Sequence, residues 1–221
     1  MPVFALWSAP RARSTAFFRS MLERGDLLAL HEPLEGLMYF GDTEVEGRTF
    51  ESPVSLLAWL RDETHDVRVF LKETTDSRVR EVVLADRRFL AEARHAFLIR
   101  RPEEIAASYY ALYPDMRIEE VGLETMHELH AAVRDADGHP PVVIDSDDLV
   151  ARPEATMAAY CAAVELPFIP QALTWAPGER PEWQRTARWH LDASASSSFE
   201  PRGRTYARTV VSSDEMARFA A

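Results

Sequence analysis

The chain has 221 residues, of which 47% are hydrophobic and 28% are charged. This composition is typical of a folded protein, and the length suits one sizeable domain better than two. A formal net charge of -11 excludes general nucleic-acid binding, because no surplus of Lys and Arg is available to neutralise a phosphate backbone. An anionic ligand must therefore be bound by a local group of side chains.

Cysteine content and the length of the apolar runs indicate a cytoplasmic protein. The single cysteine, Cys161, has no partner for an internal disulfide, which suits a reducing compartment. The N-terminus lacks the basic start and the long apolar run of a secretion signal. No stretch approaches the roughly 18 consecutive apolar residues that a membrane-spanning helix needs, so we expect no membrane association.

Short apolar runs alternate with helical segments along the chain. The runs contain few polar residues, which is typical of strands buried on both faces of a parallel sheet. This pattern predicts an α/β fold in which helices cover both faces of that sheet. The predicted strands are 3–7, 27–30, 67–71, 96–99 and 141–145. The predicted helices are 14–24, 54–61, 77–93, 103–112, most of 118–136, and 154–164.

The C-terminal part of the chain has a different character from the rest. Trp175, Trp183 and Trp189 are interspersed with Pro, Gly, Arg and the serine-rich stretch 194–198. We interpret residues 170–221 as an irregular cap or lid on a single domain that comprises 1–221. Residues 41–52, which are rich in Gly, Asp and Glu, are predicted to form a loop.

Polar residues follow the first predicted strand and lead into the first predicted helix. A loop of this kind offers free backbone N–H groups and the positive end of the helix dipole. Arg11, Arg13, Ser14 and Thr15 add donors that suit phosphate or sulfate oxygens. Ser14 as a simple helix cap beside solvated arginines explains these residues about equally well. No Gly-Lys-Ser/Thr sequence of a Walker loop occurs in the chain.

A second candidate anion site follows the fourth predicted strand. Arg100 lies at the end of that strand, and Ser108 lies two helical turns further along the chain. Both could bind one phosphate, although Arg100 could instead pair with a surface carboxylate. Ligands of doubly wound sheets bind beyond the carboxyl ends of the strands. Two anion sites there indicate a ligand with two separated anionic groups.

These segments together resemble the sulfotransferases that use 3′-phosphoadenosine 5′-phosphosulfate (PAPS). The sequence WSAPRARST at 7–15 resembles the family's 5′-phosphosulfate loop, and Arg100-Arg101-Pro102 with Ser108 matches its 3′-phosphate motif. Residues 147–154 are similar to a further family segment, and 175–199 resemble the tail of a bacterial sulfotransferase-like branch. The resemblance covers nearly the whole chain in the expected order.

The resemblance implies a parallel sheet of the nucleotide-kinase type, PAPS as co-substrate, and no metal. It implies a 3′-phosphate held by Arg100 and Ser108, with a weaker contribution from the pair Arg202 and Gly203. Arg13 stands where many members have glycine, so its side chain must leave the loop or touch the donor. The 5′-phosphosulfate would be held by Arg11, Ala12, Arg13, Ser14 and Thr15.

Catalytic roles also follow from the resemblance. Lys72, at the end of the third predicted strand, resembles the lysine that stabilises the leaving phosphate, although an exposed lysine at a strand end is the alternative. Cytosolic relatives often place a histidine two residues later, where this chain has Thr74. The acceptor must lose a proton, and we favour Glu32 as the base, with His31 second. Glu32 could alternatively support the loop by binding an arginine.

The acceptor and the partners are less defined by the sequence. We expect a small-molecule acceptor with a hydroxyl or an amine, and the oligomeric state stays open, a homodimer included. The alternative function is a sulfotransferase-fold homologue with a different reaction or a non-catalytic nucleotide-binding role. His127 and His130 on a helix lack the spacing of a metal motif and a clear third ligand, so we assign no metal site.

Overall fold

The computed structural model describes residues 3–62, 67–200, 206–210 and 216. In it, a central sheet of five parallel strands is accompanied by one short antiparallel hairpin. The strands in chain order are β1 (Val3–Ser8), β2 (Leu27–His31), β3 (Thr43–Val45), β4 (Arg48–Phe50), β5 (Arg68–Thr74), β6 (Arg94–Ile99) and β7 (Val142–Asp145). The hairpin consists of β3 and β4.

The strand order in the central sheet is β2-β5-β1-β6-β7. From β1 the chain runs to the edge strand β2, returns to β5, and then continues on the other side of β1 in β6. Register aligns the ends of the strands: His31 pairs with Lys72, and Ser8 pairs with both Thr74 and Leu98. A crevice for ligands is expected where the strand order reverses, which here is at the end of β1.

Helices pack on both faces of the sheet. The α-helices are α1 (Ser14–Glu23), α2 (Pro33–Phe40), α3 (Pro53–Asp62), α4 (Ser77–Ala85), α5 (Arg87–Glu92), α6 (Pro102–Tyr110), α7 (Leu123–Asp137), α8 (Ser146–Ala151), α9 (Pro153–Ala163) and α10 (Leu191–Ser194). Short 3-10 helices are Ile118–Val121, Pro170–Leu173 and Pro181–Trp189. None of the helices in the described ranges is long and apolar enough to cross a bilayer.

Successive side chains of β1 point to opposite faces of the sheet, and the core accordingly has two layers. Phe4 and Leu6 face the layer that contains α1 and α9, whereas Ala5 and Trp7 face the layer that contains α2 to α5 and α7. All six residues of β1 are buried, as expected of a central parallel strand. The indole Nε1 of Trp7 donates a hydrogen bond of 2.9 Å to Nδ1 of buried His95, so this polar pair is satisfied.

The predicted parallel sheet with helices on both faces is confirmed, and the differences from the predicted elements have local causes. The predicted helix 77–93 is interrupted at Asp86, whose carboxylate accepts a hydrogen bond of 3.0 Å from the Phe89 N–H and starts α5. The segment 118–136 is divided by Gly122, which has a φ of 73°. The predicted loop 41–52 contains the β3–β4 hairpin. Helix α2 was not predicted, and neither was α8.

The segment 170–200 folds back onto the layer of α1. Trp175 and Trp183 are buried in that layer's core. The Trp175 N–H donates to the Ser197 carbonyl at 2.8 Å, and Thr174 forms an isolated bridge with Ser198. Two buried indoles contribute several kcal/mol of apolar burial, so this segment is packed onto the domain where the structure describes it.

We expect Gly122→Ala to destabilise the fold more than Gly138→Ala. Both glycines have a left-handed φ, of 73° and 78°, which costs an L-residue about 1 kcal/mol. A Cβ at Gly122 would also lie 2.3 Å from the Thr75 carbonyl oxygen, whereas one at Gly138 meets nothing within 4 Å. Urea unfolding should therefore show an extra loss of about 1–3 kcal/mol for Gly122→Ala. Equal losses in the two variants would contradict the contact with Thr75.

Candidate active site

The loop between β1 and α1 has a strained backbone that exposes N–H groups. Arg11 and Arg13 both adopt left-handed φ values, of 63° and 68°, a region that favours glycine. This explains why relatives can carry glycine at the position of Arg13. Ser14 and Thr15 are the first residues of α1, so their N–H groups have no carbonyl one turn earlier. The helix N-terminus is therefore suited to an anion.

The side chain of Arg13 leaves the loop, which decides between the two alternatives stated above. Its Nη1 donates to the Ser146 carbonyl at 3.1 Å and to the carboxylate of Asp147. Its Nη2 lies 3.7 Å from Glu104. Hydrogen bonding to Arg13 lowers the pKa of Asp147. The Arg13 guanidinium thus joins the start of α1 to the end of β7, at the margin of the loop.

The two predicted anion sites meet in space. The Arg11 Nε donates to the Ser108 Oγ at 3.1 Å, and the Arg100 Nη1 donates to the Arg11 carbonyl at 2.8 Å. Arg11 also donates to the carbonyl of Trp189. Arg100 forms an ion pair of 2.8 Å with Glu104, which an incoming anion at Arg100 would have to displace. The ends of β1 and β6 therefore bring both arginines to one place.

Lys72 and Glu32 form an ion pair at the ends of β5 and β2. The Lys72 side chain is 3% exposed, so the alternative of an exposed lysine is wrong. The Thr74 Oγ1 donates to the Glu32 Oε1 at 2.7 Å, the oxygen that also binds Lys72. Burial acts to raise the pKa of Glu32, but the Lys72 charge outweighs it and holds that pKa well below its usual range. Glu32 is therefore a carboxylate bound to Lys72, and the contacts within the described residues do not support the alternative of an arginine partner.

A buried glutamate that sequence reasoning missed holds α2 in place. The Glu73 carboxylate accepts hydrogen bonds from the N–H groups of Leu34 at 2.6 Å and Glu35 at 3.3 Å. Glu73 points to the opposite face of β5 from Lys72, as alternation along a strand requires. Burial raises the pKa of Glu73. This contact places the first turn of α2 on β5 and so fixes the position of Glu32.

A second residue that sequence reasoning missed is His190, which directly follows the 3-10 helix Pro181–Trp189. Its Nδ1 lies 2.9 Å from the Thr15 Oγ1, and its Nε2 lies 3.1 Å from the Thr186 Oγ1. The His31 ring packs edge-on against it, with centroids 4.8 Å apart. Burial lowers the pKa of His190 to about 4 and lowers that of His31 as well. Both imidazoles are therefore neutral at physiological pH.

His31, Glu32 and His190 bring metal-binding atom types within 4.8 Å of one another. The buried His31 Nε2 has no hydrogen-bond partner within the described residues, but a cation would have to displace existing partners at the other two residues. Both ring nitrogens of His190 have hydroxyl partners, and the Glu32 Oε1 binds Lys72. The donor set therefore fits the hydrogen-bonded arrangement better than a resident metal.

A cavity of about 990 Å³ opens at this edge of the sheet. Ala12 is buried beneath the loop, where its N–H donates to the Ala9 carbonyl at 3.3 Å. Arg202 and Gly203 lie outside the described residues. The other predicted site residues line the cavity, namely Arg11, Arg13, Ser14, Thr15, His31, Glu32, Lys72, Arg100 and Ser108.

The family model of the Sulfotransferase domain matches residues 1–220 of this chain. The chain is therefore a member of the sulfotransferase domain family, a class of transferases. The family assignment agrees with the resemblance that the sequence showed in the two predicted anion-binding segments.

Two longer plant proteins from Arabidopsis thaliana match this chain. Branched-chain-amino-acid aminotransferase-like protein 2 is 28% identical over 204 residues, and protein 1 of the same name is 26% identical over 209. The matches cover 90% and 92% of this chain but only 36% and 37% of the plant proteins. The chain thus spans little more than a third of the length of these relatives.

Solved sulfotransferase domains share the fold. The sulfotransferase domain of the Synechococcus PCC 7002 olefin synthase aligns with a TM-score of 0.60 and 14% identity, covering 100% of this chain and 93% of that domain. A sulfotransferase from Alicyclobacillus acidocaldarius aligns with a TM-score of 0.53 and 11% identity, covering 88% of this chain and 92% of the other. At these identities the similarity concerns the fold.

We expect Lys72→Met to cost about 3 kcal/mol of folding free energy at pH 7, because it leaves the buried Glu32 carboxylate without a compensating positive charge. The double variant Glu32→Gln/Lys72→Met removes both charges and should recover most of that loss. The pKa of Glu32 is depressed in the folded protein, so the pair stabilises fully above the usual pKa of about 4.3 and progressively less as the pH falls below it. Urea unfolding from pH 7 to pH 3 measures both effects. A single variant as stable as the double variant at pH 7 would contradict the pairing.

Proposed function

We propose that this protein transfers a sulfuryl group from PAPS to a hydroxyl or an amine of a small molecule. One observation carries the proposal: the strand order places four candidate site segments side by side along one edge of the sheet, which suits an elongated donor with two separated anionic groups. Glu32 lies at the end of β2, Lys72 near the end of β5, the loop 9–13 after β1, and Arg100 after β6. A donor with its 3′-phosphate at one end would direct its sulfuryl group to the other.

In this proposal the 3′-phosphate binds Arg100 and Ser108, and the 5′-phosphosulfate binds the N–H groups at the start of α1. Arg11, which contacts Ser108 and whose carbonyl binds Arg100, lies where it can bridge the two groups. Thr15 would supply a hydroxyl in addition, since its partner is the neutral His190. The cavity volume of about 990 Å³ is at the upper end for ligand pockets, which supports a nucleotide donor with a small acceptor beside it.

The chemistry is an in-line displacement at sulfur. The bond between sulfur and the leaving phosphate oxygen breaks, a bond to the acceptor oxygen or nitrogen forms, and the acceptor proton passes to the Glu32 carboxylate. Lys72 would turn from Glu32 to the leaving oxygen and stabilise its growing charge. That movement takes away the charge that depresses the pKa of Glu32, so Glu32 becomes a stronger base when the donor is bound. His31 ranks second, because its pKa is lowered by burial.

We expect Arg100→Ala to weaken binding of 3′-phosphoadenosine 5′-phosphate, the spent donor, by about 10- to 100-fold. The loss corresponds to one charge-assisted contact of about 1.5–3 kcal/mol. Calorimetry at fixed ionic strength measures it. Failure of the wild type to bind this nucleotide would contradict the proposal and favour a different use of the fold.

Two neighbouring residues provide matched comparisons for that measurement. The Arg101 side chain is 62% exposed, so Arg101→Ala should change the affinity by less than about threefold. Glu104 holds Arg100 at 2.8 Å and competes with an incoming phosphate, so Glu104→Gln should tighten binding by several-fold. An equal loss in the two arginine variants would indicate a general effect of positive charge instead of a site at Arg100.

We expect Glu32→Gln to lower kcat by about 10²- to 10⁴-fold, the usual contribution of a general base, while donor affinity changes little. The rate of nucleotide release from PAPS measures this, with an acceptor selected from a panel of phenols, alcohols and amines. Normal turnover in this variant would exclude Glu32 as the base. Nucleotide binding without turnover by the wild type on every acceptor would favour the non-catalytic alternative.

A further inference from the structure

Glu35 is a carboxyl of the cavity wall to which the mechanism above gives no role. It lies in the first turn of α2 and lines the cavity. Its Oε2 is buried and has no hydrogen-bond partner within the part of the chain that the structure describes. Buried polar atoms in folded proteins nearly always have a partner, and an unpaired buried carboxylate is costly. An unsatisfied oxygen in the wall of a cavity therefore indicates a contact that a ligand completes.

The other carboxyls that line the cavity are either exposed or compensated by a cation. Glu44 and Glu200 are exposed. Among the described residues of the lining, Glu35 is thus the carboxyl that is largely buried and yet has no ion pair. The compensated carboxyls form the pairs Glu32–Lys72, Asp42–Arg185, Asp76–Arg78, Glu182–Arg180 and Asp192–Arg11.

The place where α2 meets β5 has fewer cations than carboxyls. Lys72 is bound to Glu32, and the buried Glu73 is satisfied by backbone N–H groups at the start of α2. Burial and then the negative charge of Glu32 raise the pKa of Glu35 to about 8, against the opposing charge of Lys72. A cation that binds from the cavity would lower this pKa and leave Glu35 ionised in the complex.

Aromatic side chains continue the same wall beyond Glu35. Tyr39 lies one helical turn further along α2, and Phe40 follows it; both line the cavity and are 49% and 42% exposed. The guanidinium of Arg78 lies 3.6 Å from the centroid of the Tyr39 ring, and that of Arg185 lies 3.9 Å from the Phe40 centroid. Such ring faces attract cations and pack against apolar groups. The wall therefore suits a ligand that joins a cation to an apolar or aromatic body.

Glu35 and Glu32 lie within one turn of each other. The Gly36 N–H donates to the Glu32 carbonyl at 2.8 Å, so Glu32 is the cap residue of α2. Three residues of helix rise by about 4.5 Å. A group that reaches Glu32 and a cation that reaches Glu35 would therefore belong to one compact molecule.

We propose that Glu35 determines acceptor specificity: it binds the protonated amine of a compact acceptor whose hydroxyl reaches Glu32. The transfer step rests on the function proposed above, whereas the binding of a cation at Glu35 does not. A protonated amine has no free electron pair, so the hydroxyl oxygen is the nucleophile. Its bond to sulfur forms as the bond from sulfur to the leaving phosphate oxygen breaks, its proton passes to Glu32, and the ammonium group is unchanged. The acceptor class is thus a hydroxylated amine.

Three phenols of similar shape and different charge test this specificity by calorimetry at pH 7. The protein is saturated with 3′-phosphoadenosine 5′-phosphate, so no transfer occurs. We expect the cation meta-hydroxybenzylamine to bind at least about tenfold more tightly than the neutral meta-ethylphenol. The anion meta-hydroxybenzoate should bind most weakly. Failure of the amine to bind, or equal affinities for the amine and the neutral phenol, would overturn the proposal.

Variants assign the preference for the cation to one carboxyl. In Glu35→Gln the preference should fall below about threefold, while the affinity for meta-ethylphenol stays as in the wild type. Glu44→Gln is the matched control, because it removes the same charge from an exposed position of β3 in the same wall, where solvent screens it. It should change the affinity for the amine by less than about twofold. Equal losses in the two variants would indicate a general effect of negative charge and contradict a site at Glu35.

Turnover of the same acceptors with PAPS separates specificity from structural damage. We expect Glu35→Gln to raise KM for the amine at least about tenfold, and to leave kcat/KM for meta-ethylphenol within about threefold of the wild type. An equal loss of kcat/KM with both acceptors would contradict a role in recognising the cation.

Binding of the amine to the protein without nucleotide distinguishes the two proposals. If the wild type fails to bind 3′-phosphoadenosine 5′-phosphate but binds the amine, and Glu35→Gln removes that binding, the proposed function is wrong and the cation site stands. If the nucleotide binds and the amine is not preferred, only the acceptor class is wrong. A Glu35→Gln variant that binds the nucleotide like the wild type is folded, so its lost affinity for the amine is due to the missing charge.

Discussion

Parallel pairing of the central strands is the constraint on which the site depends. In a parallel sheet all strands end at the same edge, and the order β2-β5-β1-β6 places four chain reversals side by side. Glu32, Lys72, the loop 9–13 and Arg100 are distant in sequence, yet each is the residue or segment at which a strand ends or nearly ends. A sheet with the same strands in another order would keep the core and lose the site.

Ion pairs within the protein compensate the cationic side chains at this edge of the sheet. The protein has a net charge of -11, and its site cations are held by internal partners: Lys72 by Glu32, Arg13 by Asp147, and Arg100 by Glu104. Such pairs keep buried or half-buried cations from being left uncompensated. In the proposed function, an anionic donor would replace the carboxylates at Arg100 and Lys72. Binding would then exchange one set of ion pairs for another, and the exchange at Lys72 would free Glu32 for the proposed role as base.

The sequence was sufficient to predict the sheet, and the candidate residues that it indicated at strand ends, Lys72 and Glu32 among them, line one cavity, because strand ends and loop donors are local signals. It was insufficient for Glu73 and His190, whose roles depend on contacts with distant segments. Helix α2 was missed because Pro33 looked like the end of a strand, although Pro at the first helical position is also a start signal. Two predicted helices are each interrupted in the structure, one by the helix cap at Asp86 and the other by the left-handed φ of Gly122. The periodicity of apolar residues reveals neither feature.

A crystal structure with bound 3′-phosphoadenosine 5′-phosphate tests the central claim most directly, namely that the strand order orients the donor. We expect the 3′-phosphate on Arg100 and Ser108 with Glu104 displaced, and the 5′-phosphate on the N–H groups of Ser14 and Thr15 with its free oxygen toward Lys72. A nucleotide bound in the reverse direction would contradict the claim. So would a nucleotide bound outside the cavity, with the pairs Arg100–Glu104 and Lys72–Glu32 intact.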